Sequence, residues 1–70
     1  MYLGQAINYL NPSTVKKFSI TAHTNIPEIE LKVGRSKLFD HYDSTLTGAV
    51  LSREVLSIDC KNSVVNFDIE

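Results

Sequence analysis

Asp40, His41 and Asp43 put two carboxylates and an imidazole within four consecutive positions. Such groups ligate metals and exchange protons. The spacing matches no ligand motif: on a helix the two aspartates share a face while His41 points about 100° away. The competing account is an exposed polar face beside an inward Phe39 and Tyr42, and no metal is expected. Cys60 with His23 or His41 has the composition of a nucleophile and its base. Yet Cys60 shares the parity of Leu56 and Ile58 in an alternating run, and a buried cysteine behaves as a small hydrophobe. It is therefore read as core. No nucleophile elbow, HExxH motif or paired CxxC occurs. The expectation is a protein that is not an enzyme, with no catalytic residue and no cofactor.

Binding chemistry is better represented. Arg35, Lys37, Phe39, His41 and Tyr42 bring cations and aromatics into one short segment, a composition enriched at recognition hot spots. The competing account is that Leu38, Phe39 and Tyr42 simply cover a sheet. Gly34-Arg35-Ser36-Lys37 has the parts of an anion site but lacks the remaining glycines and the GK[ST] ending of a phosphate loop. Lys16, Lys17, Arg35 and Lys37, with Phe39 or Tyr42 for stacking, make the candidate nucleic-acid contact. Glu28, Glu30, Glu54, Asp59 and Asp68 could line an acidic surface, or merely the wet side of strands. Tyr2 and Tyr9 pose the same choice between recognition and packing.

Composition narrows these options. Seven basic side chains against eight acidic ones give a net charge of −1, whereas phosphate-binding proteins usually carry a basic excess. Nucleic acid is thus the alternative partner and a larger protein the favoured one. Seventy residues make one small domain with little room for both a core and a water-excluding pocket. The functional expectation is a binding protein of the phage or mobile-element type, which regulates or inhibits a larger macromolecule by surface contact. A structural subunit of an oligomeric or virion assembly is the third reading, and an exposed strand edge offers a route to a homo-oligomer. The single cysteine excludes an internal disulfide framework and suits the cytoplasm. No leader or membrane segment is expected from the short apolar runs.

The elements that must position these groups follow from hydrophobic spacing. Leu3, Ala6, Ile7 and Leu10 form a helical stripe over residues 2–10, closed by Asn11-Pro12. Residues 16–23 alternate as a strand, with Phe18, Ile20 and Ala22 on one side. Residues 26–33 read as its hairpin partner, pairing Phe18 with Val33, Ile20 with Leu31 and Ala22 with Ile29. Leu38, Phe39, Tyr42 and Leu46 suggest a short helix near residues 37–43, and residues 49–51 resume a strand, with a bulge or turn at 52–54. The last third forms a second hairpin. Leu56, Ile58 and Cys60 meet Val65, Phe67 and Ile69 on one dry face only if the loop has an even count, such as Lys61-Asn62 or Asn62-Ser63. The expected fold is α+β: an antiparallel sheet of four to five strands with two short helices.

Overall fold

A computed structural model describes residues 1–70. The protein is α+β. Helix α1 (Leu3–Tyr9) precedes strand β1 (Lys17–Ala22), a 3-10 turn (Pro27–Ile29), β2 (Ser36–Asp40), the short helix α2 (Gly48–Leu51), β3 (Val55–Lys61) and β4 (Val64–Ile69). The four strands lie in the order β2-β1-β4-β3.

The helical stripe at the N-terminus packs as its spacing requires: Leu3, Ala6 and Ile7 are buried and Leu10 rests against the core. Gln5 accepts a hydrogen bond from the Tyr2 N–H at 2.9 Å, satisfying a donor at the helix entrance. A Cβ on Gly4 would meet the Leu51 Cβ at 3.4 Å, so the two helices approach closely there.

Strand β1 buries Phe18, Ile20 and Ala22. Its hairpin partner is β2, not residues 26–33. Phe18 faces Phe39 and Ile20 faces Lys37. The helix expected near 37–43 is therefore a strand over its first part, with Phe39 on the covered face and Leu38 on the other. A stripe of four apolar residues fits either period, and the free edge of β1 decides it by pairing. The expected strand at 26–33 folds instead as a compact loop closed by an Ile26–Leu31 bridge. Pro27 lacks a donor and has φ preset for a first helical turn. Ile26 and Ile29 are buried three residues apart, the repeat of a 3-10 helix, and Glu30 ends the turn in the left-handed region at φ 56°. Residues 49–51 likewise belong to α2 instead of a strand, with Val50 fully buried.

The second hairpin keeps its expected parity. Ile58 faces Phe67 and Cys60 faces Val65 across a two-residue loop, Asn62-Ser63. Both loop residues have positive φ, 53° and 64°, the signature of a type I′ turn. The register slips between Val55 and Ser57, so the bulge lies at Leu56 and not at 52–54, and Val55 takes the place opposite Ile69.

The sheet is mixed where an antiparallel one was expected. Strands β1 and β4 run parallel at its centre, with Phe18 beside Val65 and Ile20 beside Phe67. The buried side chains form one cluster to which α1, the 3-10 turn, α2 and the sheet all contribute. One face of the sheet is thus covered and the other is left to water. No helix is long and apolar enough to cross a membrane.

Candidate functional site

The topology separates the basic residues. Lys17 pairs with Asp40 at one end of β1, while the Ala22 N–H donates to the Arg35 carbonyl at the other. Five residue steps along the strand place Lys17 and Arg35 roughly 16 Å apart. Lys37 faces Ile20, so it projects from the opposite face of the sheet to Lys17, and the two lysine-bearing ends do not share one groove. Lys37 holds its Nζ 5.6 Å from the centroid of the Phe39 ring, and Phe39 itself is buried and stacked near Phe18. Tyr42 remains 85% exposed.

His41 is committed to structure. Its Nε2 lies 2.7 Å from the Val15 carbonyl, which can only accept, so Nε2 carries the proton. The ring stands edge-on to Phe18 at 5.6 Å between centroids. Asp43 accepts from both the Thr45 hydroxyl, at 2.6 Å, and the Thr45 N–H, at 2.9 Å. These bonds, the hydroxyl's first, hold its carboxyl below the usual carboxylate range. Asp40 caps the Tyr42 N–H in the same loop. The three groups that suggested metal chemistry thus organise the turn after β2, and no three metal-ligating side chains cluster elsewhere.

The uncovered face carries a polar network. Asn66 Oδ1 accepts from the Ser19 and Thr21 hydroxyls, and its Nδ2 donates to Asp68 at 3.3 Å. Asp68 also accepts from the Ser57 hydroxyl at 2.6 Å and has His23 Nε2 at 3.8 Å. The carboxylate sits between serine and imidazole, so the histidine has no contact with the hydroxyl it would need to activate. The acids do not pool into one surface: Glu28 approaches Arg53 at 3.9 Å and Glu54 binds the Met1 ammonium at 2.9 Å.

Strand β3 is different. It is one edge of the sheet, and none of its seven residues is buried. Cys60, read as core, is an exposed free thiol. Its parity places it on the covered side, opposite Val65, but the covering helices do not extend over this outermost strand. Leu56 and Ile58 are half-exposed for the same reason, at 54% and 53%. The dry face therefore ends at Val65, Phe67 and Ile69 of β4. Cys60 faces Phe39 only across β4 and β1, three strand spacings or about 14 Å, so no nucleophile–base pair forms with His41.

The outer side of β3 is closed at its start and open beyond. The Val55 N–H donates to the Met1 carbonyl at 2.8 Å and the Leu3 N–H to the Arg53 carbonyl at 2.9 Å. Past the bulge, the type I′ turn fixes which groups are free. Lys61 and Val64 flank the turn and bond each other, so alternation turns the backbone groups of Ile58 and Cys60 away from β4. The Cys60 N–H is taken by the Asp59 carboxylate at 2.9 Å. From the sequence, Leu56 and Ile58 read as core and Asp59 only as one member of a candidate acidic surface. Their signal was a charge inside an apolar alternation, Ile58-Asp59-Cys60, a pattern with which proteins blunt exposed strand edges. Comparison with protein-family models, with curated proteins and with solved structures found no match to this chain.

Proposed function

We propose that this chain is a small, non-enzymatic binding protein that regulates or inhibits a larger protein by docking it against the outer edge of β3. The observation that carries this reading is an edge strand whose outward backbone groups at Ile58 and Cys60 meet no neighbouring strand, the Cys60 N–H being held only by the adjacent Asp59 carboxylate, with half-exposed Leu56 and Ile58 beside them. Backbone pairing supplies affinity in such strand addition, and alternate side chains supply specificity. The separation of Lys16 and Lys17 from Arg35 and Lys37 weighs against a continuous track for a phosphate backbone. The surface thiol fits a reducing compartment, and we place the protein in the cytoplasm.

The test compares the wild-type chain with Ile58→Lys and Tyr42→Ala as immobilised baits. The expected result is a stoichiometric protein partner held by wild type and Tyr42→Ala but lost with Ile58→Lys, with slowed amide exchange at residues 57–61 in the purified complex. A partner retained by Ile58→Lys, or protection confined to β2, would remove the β3 reading.

A further inference from the structure

Resting on that reading, we propose that Asp59 selects the docked segment: the outer edge of β3 accepts an antiparallel strand carrying Lys or Arg between two apolar residues, and rejects a second copy of itself. Asp59 faces Asn66, so its carboxylate lies on the uncovered face, while Ile58 and Cys60 lie on the covered one. The backbone groups of Asp59 turn inward. A partner residue opposite it therefore occupies the non-hydrogen-bonded position, where facing Cα atoms come within about 4.5 Å and side chains approach most closely. A cation there meets the carboxylate directly. It also draws that carboxylate off the Cys60 N–H, freeing the donor that an incoming strand needs. Apolar residues on either side fall beside Ile58 and Cys60 and extend the covered face.

The same geometry disfavours self-pairing. The two-fold register that uses every free group sets Ile58 against Cys60 of the second copy and Asp59 directly against its own equivalent. Like charges at that spacing repel, and neither carboxylate has a reason to release its Cys60 N–H. Shifting the register to centre on Cys60 brings Ile58 against the Asn62-Ser63 turn. Centring on Ile58 brings Cys60 against the bulge at Leu56. The bridge between Tyr2 and Glu54 closes the remaining end.

Two blocked peptides of alternating Thr and Val, identical except for Lys or Glu at the central position, test the proposal by amide chemical-shift titration at low salt. The Lys peptide is expected to shift the amides of residues 57–61 and to bind wild type roughly three- to tenfold more tightly than the Glu peptide, the range set by exchanging an attractive for a repulsive cross-strand pair. Asp59→Lys is expected to reverse the order. Equal binding of both peptides, binding of neither, an order that survives Asp59→Lys, or dimerisation of wild type through β3 would each overturn it. If the peptides fail this test while Ile58→Lys still releases the protein partner, β3 stands as the docking edge and only its selection by Asp59 falls.

Discussion

The side chains that looked most chemical at first sight are mostly spent on holding the turn after β2. Asp43 illustrates how. Two donors from Thr45 stabilise its ionised form, so its carboxyl titrates below the ordinary value of 3.8. A carboxyl depressed on folding contributes stability that is present above its unfolded value and is lost as pH falls through the folded one. Thr45→Val removes the hydroxyl, which is the larger cause, and should raise the Asp43 titration midpoint toward the ordinary value in a carboxyl-carbon NMR titration. An unchanged midpoint would contradict the assignment. His41 has a parallel role in joining the turn to the residue before Lys16. His41→Ala loses the bond to the Val15 carbonyl and the edge contact with Phe18. The expected cost is about 1–3 kcal/mol in denaturant unfolding, typical of one hydrogen bond plus one aromatic contact.

At the level of elements, the β3–β4 hairpin owes its register to Asn62 and Ser63, both in the left-handed region. Asparagine tolerates that conformation and serine does so less well, whereas Asn-Gly is the preferred pair for a type I′ turn. Ser63→Gly should therefore stabilise the protein by roughly 0.5–1 kcal/mol, read as a higher denaturant midpoint at unchanged slope. This hairpin was legible in the chain because alternation and turn chemistry are both local. Strand β2 was not, since Leu38 and Phe39 satisfy a helical stripe equally well and only the distant Phe18 selects the strand. Residues 26–33 misled in the opposite sense. Ile29, Leu31 and Val33 alternate, but Pro27 had already set a tight turn, and the burial of Ile26 with Ile29 follows its period. The proposed docking edge was half visible: the parity of Ile58 and Cys60 could be read from the chain, but their place on the outermost strand depends on the order of all four strands.

For the molecule as a whole, stability rests on a core served by one face of one sheet. Phe67 sits at its centre, beside Ile20 in the parallel pair and edge-on to Phe18 at 5.7 Å. Phe67→Ala should cost about 3–5 kcal/mol, enough to unfold most molecules of a domain this small. Circular dichroism and thermal melting would show it, and a variant of native stability would contradict the packing described. The parallel union of β1 and β4 joins residues from opposite ends of the chain, so the core closes only after the intervening segments have folded back. Beyond Val55, which packs partly against the core and is tied to Met1, strand β3 stands outside this arrangement, held to the sheet by pairing with β4 rather than by any buried side chain. Its stretch past the bulge, residues 57–61, can peel away without flooding the interior, and the amides there should exchange with deuterium fastest among the four strands. Each such excursion bares the flank of β4, which makes strand exchange, in which an incoming segment takes the place of β3 instead of lying beside it, a second route for the proposed partner.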